Sequence, residues 1–81
     1  MEKTELIEKI RKAVSSVLGH ENFEMKDELT ASQVSGWDSL SHMLIIAELE
    51  KVFNIKFKLK ELNKLVNMGS LIQTIESKLT A

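Results

Sequence analysis

The chain has 81 residues, 43% of them hydrophobic and 28% charged, with 11 basic against 12 acidic side chains and no cysteine. A chain of that length buries little more than about 60% of its unfolded surface, so one domain spanning 1–81 with a modest core is expected, and an enclosed active site built within it is not. The near-neutral charge gives no electrostatic footprint for nucleic acid or a polybasic membrane anchor, and the missing cysteines exclude a disulfide framework, a cysteine zinc site and a thiol of the chain's own.

The N-terminus opens with charge, Met1-Glu2-Lys3-Thr4-Glu5, and the longest apolar run is Met43 to Ala47. Neither a signal peptide nor a membrane segment is expected, and a cytoplasmic location fits the absence of cysteine. From Thr4 to Leu18 the spacing of Leu6, Ile10, Ala13, Val14 and Val17 predicts an amphipathic helix. Glu5–Lys9 and Glu8–Lys12 support it as i,i+4 pairs, and Gly19 stands where a helix end favours a left-handed residue. His20 to Asp38 shows no sustained period. A loop of that length in so small a chain is expected either to be functional or to be pinned by its own side chains.

A second helix is predicted from Ser39, read as its N-cap, to about Phe53. At about 100° per residue, Ile45, Leu49, Val52 and Phe53 share one face, with Ile46 at its edge. Leu40, Met43, Leu44 and Ala47 fall on the other, continued by Glu50, Lys51 and Asn54. Two readings of that second face stay open: it packs under the long loop, or it remains exposed beside Ser39 as a docking surface. Phe57 to Val66 predicts a short third helix or turn closed by Gly69. Ser70-Leu71-Ile72-Gln73 reads as a capping box opening a last helix to about Leu79, with Leu71, Ile72, Ile75 and Leu79 inward. No run alternates as a strand would. The fold class is therefore all-α: three main helices and a short one, with a long loop between the first two.

Gly36-Trp37-Asp38-Ser39-Leu40 joins that loop to the central helix. Gly36 supplies turn freedom, Trp37 is a half-buried anchor, and Ser39 is either an ordinary cap or a point of attachment. His42 reads as a packed imidazole that borders Ser39, and His20 as a solvent-facing residue at a helix end; neither has a second ligand at metal spacing.

Asp38-Ser39-Leu40 at the head of an apolar helix, an amphipathic helix before a long loop, Phe53-Asn54-Ile55-Lys56-Phe57 after it, and a Gly-Ser-Leu-Ile start to the last helix together resemble an acyl carrier protein over nearly the whole chain. The resemblance implies that a phosphopantetheinyl transferase, using coenzyme A, esterifies Ser39 with 4'-phosphopantetheine. The arm would supply the thiol the chain lacks and hold an acyl or related carboxylic group as a thioester. A phosphodiester there would face unpaired N–H groups and the positive end of the helix dipole. Asp38 would assist the helix start or help the transferase orient Ser39.

Leu40, Met43, Leu44, Ala47 and Lys51 would form the surface for acyl-activating, acyl-transfer or condensing enzymes, which own the catalysis; a monomer is expected, with no nucleic-acid or membrane partner. Carriers of fatty-acid synthesis typically have a strongly acidic second helix. Here that helix holds only Glu48 and Glu50 against Lys51, and Lys56, Lys58, Lys60 and Lys64 follow, which points to a specialised free-standing carrier. The competing class is an unmodified helical interaction module, or a helix-turn-helix DNA binder using Lys56 to Lys64. Against the latter stands the absence of Arg or Asn on a plausible recognition helix.

Overall fold

The computed structural model describes residues 2–80, Thr80 by its backbone alone. It is helical as expected: α1 (Lys3–Leu18), a 3₁₀ turn (Ala31–Gln33), α2 (Ser39–Phe53), α3 (Leu59–Leu62) and α4 (Met68–Thr80). Gly19 ends α1 in the left-handed region, φ 79°, with its N–H on Ser15 O. Asn54 does the same for α2 at φ 55°.

The helices are held by one apolar core. Leu6, Ile10, Ala13 and Val14 of α1 meet Ile45, Ile46, Leu49 and Phe53 of α2, and Met68, Leu71, Ile72 and Ile75 close it from α4. Fully burying a side chain such as Ile45 or Leu49 contributes about 1.5–3 kcal/mol, whereas helix propensities among ordinary residues differ by less than about 0.7 kcal/mol. Packing therefore decides which face of α2 turns inward. Val17 is only half-buried. Val52, expected inside, lies at the edge of the buried stripe of α2 and is 40% exposed; Leu79 shares the buried face of α4 but sits in its last turn and is 37% exposed.

The long loop is pinned rather than free. Leu29 and Val34 enter the core, and the first amides of α4 reach into the loop, Met68 N–H to Leu29 O at 2.7 Å and Gly69 N–H to Asp27 O at 3.0 Å. His20, expected in solvent, is half-buried. Its Nε2–H donates to Ser35 O at 2.6 Å and its Nδ1 accepts from Asn22 N–H at 3.0 Å, which ties the loop's beginning to its end.

Three helix-start expectations are corrected. The N-cap of α2 is Asp38, with extended backbone, and Ser39 is the first helical residue. Gly69 does not close the third helix but lies inside the first turn of α4. The cap of α4 is built from Asn67 and Ser70, not from Ser70 and Gln73: Ser70 N–H donates to Asn67 Oδ1 at 2.8 Å, and Asn67 N–H to Ser70 Oγ at 3.1 Å.

Candidate functional site

The site is assembled at the start of α2 by a short set of local bonds. Gly36 turns the chain at φ 84°. Ser41 then holds the turn to the helix: its hydroxyl donates to Gly36 O at 2.7 Å and accepts from Asp38 N–H at 2.7 Å. Ser41 N–H donates to Asp38 Oδ1 at 2.9 Å. That bond, followed by the Ser41 hydroxyl, is the main reason the Asp38 carboxyl is held below its ordinary value, with a smaller contribution from the Leu40 amide. Asp38 is thus an ionised cap facing a positive helix end. Ser41 escaped the sequence reading, although Asp-x-x-Ser spacing is a capping-box signal.

Between these two residues, Ser39 is exposed and its hydroxyl has no hydrogen-bond partner among the described residues. Trp37 and His42 stand on one side of it. The indole Nε1–H donates to His42 Nδ1 at 3.1 Å, and the rings lie near parallel at 29°, centroids 6.2 Å apart. Both expectations are met: Trp37 is half-buried and anchors the loop, and His42 is packed beside the serine. Ser39, Asp38, Trp37, His42 and Met43, with Ala31 and Ser32 of the loop, line an open depression of about 550 Å³. Behind the Trp37–His42 pair lies a small apolar cavity of about 40 Å³ whose lining includes Leu29, Leu65, Met68 and Leu71.

The outward face of α2 resolves the choice left open above in favour of exposure. Leu40, Met43 and Leu44 are 72%, 58% and 52% exposed, and Ala47 and Lys51 are exposed with them. Together with Ser39 they span an arc of roughly 140° at about 100° per residue, so serine and apolar residues share one face. Of the acidic side chains of the helix, Glu48 falls outside that arc, and Glu50, within it, is engaged by the chain that follows. Glu48 and Glu50 are half-buried, and Glu50 Oε2 accepts from Phe57 N–H at 2.9 Å to fasten the chain after α2. Lys51 is the one charged side chain of α2 that is exposed, and Lys56, Lys58, Lys60 and Lys64 beyond it are exposed too. Glu61, among those lysines, is turned to Lys78 of α4 at 2.8 Å.

Among the described residues no group of three or more His, Asp or Glu side chains is placed to hold a metal ion, and no helix is long and apolar enough to cross a membrane. At the head of the α2 face the Ser39 residue is exposed, and among the described residues no side chain is hydrogen-bonded to its hydroxyl.

In comparison with known proteins, residues 8–75 match the model of the phosphopantetheine attachment site family. The chain belongs to the acyl carrier protein family. It is 30% identical over 79 residues to an acyl carrier protein of an Exiguobacterium species, covering 98% of this chain and 100% of that one. Its fold matches the solution NMR structure of holo acyl carrier protein from Geobacter metallireducens with a TM-score of 0.85 and 35% identity, over 91% of this chain and 85% of the other. The chain is accordingly a phosphopantetheine-bearing acyl carrier with the all-helical fold of that family. Carriers of this family are generally non-catalytic and work with a phosphopantetheinyl transferase and biosynthetic enzymes.

Proposed function

We propose that Ser39 is the attachment residue, that the α2 face beside it receives the partner enzymes, and that the carrier has no catalytic activity of its own. The observation that carries this reading is the contrast between two neighbouring serines. The Ser41 hydroxyl is spent on Gly36 and Asp38, while the Ser39 hydroxyl is exposed and without a partner at the first position of α2. Ser15, Ser32 and Ser70 also have their hydroxyls engaged, by Arg11 O, the Thr30 hydroxyl and the Asn67 backbone. A transferase needs a hydroxyl it can approach, and no base of the carrier is required, because the transferase brings the activated donor and the metal. Asp38 fixes the helix start on which Ser39 rides. When attached, the arm supplies the thiol on which an acyl group is held as a thioester.

The docking face is apolar at its centre, through Leu40, Met43, Leu44 and Ala47, with Lys51 at its far end. Hydrophobic contact rather than acidic steering therefore drives recognition, which fits short encounters over small interfaces with several acyl-activating, acyl-transfer or condensing enzymes. It also favours a specialised pathway over housekeeping fatty-acid synthesis. A monomer in the cytoplasm, with neither nucleic acid nor membrane as a partner, completes the reading.

The experiment is intact mass after incubation with coenzyme A, magnesium and a promiscuous phosphopantetheinyl transferase. A gain of one phosphopantetheine on the native chain, absent in Ser39→Ala, is the expected result. A gain that persists in Ser39→Ala would move the site elsewhere.

A further inference from the structure

We infer that His42 is a positioning residue for the attached arm, its Nε2–H donating to a phosphodiester oxygen on Ser39; this rests on Ser39 being the attachment serine. Indole N–H can only donate, so the 3.1 Å contact from Trp37 Nε1 makes His42 Nδ1 an acceptor. In neutral imidazole the ring proton then sits on Nε2. Nε2 has no protein partner, and no buried polar side-chain atom among the described residues lacks one, so Nε2 is not sealed from solvent. His42 follows Ser39 by three residues, one helical turn, which puts their Cβ atoms about 5–6 Å apart, and both line the same depression. Trp37 thus fixes both the tautomer and the ring plane of a donor that stands beside the serine.

The start of α2 needs such a donor. Asp38 already takes the Ser41 N–H, so the helix end that would otherwise receive an anion holds a carboxylate. Of the unpaired N–H groups expected there from the sequence, those of Ser39 and Leu40 are left. A phosphodiester on Ser39 brings a second negative charge next to the first, and no Lys or Arg lines the depression. Of the other donors in it, Trp37 Nε1–H is spent on His42, and the Ser32 hydroxyl is shared with Thr30 at 3.1 Å. His42 Nε2–H is the side-chain donor there that is both fixed in orientation and unclaimed, whereas the Ser32 hydroxyl rotates.

The test is NMR on holo protein, with each variant loaded to completion as checked by intact mass. In the native holo chain, long-range ¹H–¹⁵N correlation should show His42 as the Nε2–H tautomer. Its ring protons should give NOEs to the methylene next to the phosphate, and the ³¹P resonance should be shifted from its value in the denatured holo chain. His42→Ala should return the ³¹P resonance toward the denatured value, and His42→Gln, which keeps a side-chain N–H, should restore part of the shift. Trp37→Phe keeps an aromatic ring but removes the indole donor, and should mix the His42 tautomers and weaken the NOEs. A folded, loaded His42→Ala chain with an unchanged ³¹P resonance, or a native holo chain without the NOEs, would overturn the assignment. Failure of the native chain to gain mass would overturn the attachment reading and this one together.

Discussion

The starts of α2 and α4 use the same device for opposite ends. Each is closed by an acid or amide at the cap and a serine three residues on: Asp38 with Ser41 at 2.9 Å, Asn67 with Ser70 at 2.8 Å. What differs is the pair of residues between. In α4 the first position is Met68, 2% exposed, and the second is Gly69, pressed against Asp27. The amides of both donate to loop carbonyls. In α2 the same two positions are Ser39, exposed, and Leu40, 72% exposed; among the described residues no loop carbonyl covers their amides. One box locks a helix onto the loop, the other holds a helix open to visitors. A capping motif therefore sets where a helix begins, and the burial of its second and third residues sets what that beginning is for.

Exchanging the contents of the boxes tests the distinction, and the largest effects come at the first helical position. Ser39→Ala should abolish loading by mass while leaving stability within about 0.5 kcal/mol by denaturant melting, since Ser39 is exposed and is not the cap. Met68→Ala should do the reverse, costing about 2–5 kcal/mol for a fully buried side chain while the folded fraction still loads. At the second position, Gly69→Ala should destabilise by about 1–3 kcal/mol. A Cβ there would meet Asp27 Cβ at 2.9 Å, its carbonyl oxygen at 3.1 Å and its Cα at 3.2 Å. Those atoms cannot swing aside as a side-chain tip would, and the gain of about 1 kcal/mol that alanine has over glycine in a helix does not offset the clash. At the cap, Asn67→Ala should cost about 1 kcal/mol without touching loading. Loss of loading in Asn67→Ala at unchanged fold would end the separation of the two helix starts.

Much of this was legible in the sequence, for reasons that also explain what was not. The span of α1 and the end of α2 follow from period and from Gly19. Ser39 stands out because the chain has no cysteine and a long loop meets an apolar helix there. The cap of α2 was misread because Asp38, Ser39 and Ser41 are all good capping residues, and only the extended backbone at Asp38, φ −116° and ψ −169°, separates them. Gly69 was misread as a breaker because its reason for being glycine is tertiary, the approach of Asp27, which is remote in sequence. The exposed face of α2 could not be chosen by periodicity, since both faces are apolar. Supplying the partner for one of them takes the whole bundle, and the bundle has no surface left for the other. The Trp37–His42 bond was hidden for a similar reason: the spacing allows it, but the Gly36 turn has to aim the indole.

The smallest expected difference between the two boxes is one of charge, and it comes with a sign. Asp38 titrates and Asn67 does not. The folded-state pKa of Asp38 is lowered, chiefly by the Ser41 N–H and then by the Ser41 hydroxyl. Its contribution is therefore present above the unfolded carboxylate value and is lost as pH falls through the folded one. Global acid melting would not isolate this, because Glu8 is lowered by Arg11 and Glu61 by Lys78 and the Lys58 amide, so three groups are lost over the same range. Amide exchange, normalised for the intrinsic effect of pH, does isolate it. Protection of the Ser41 N–H should fall as the solution is taken below the carboxylate range, while protection of the Ser70 N–H, held by a neutral amide oxygen, should stay level until the whole chain unfolds. Asp38→Asn should keep the Ser41 bond and flatten its pH dependence, making the start of α2 behave as the start of α4 does. Parallel loss at Ser41 and Ser70 in the native chain would mean that the two helix starts open together, and that the exposed one is no more independent of the core than the buried one.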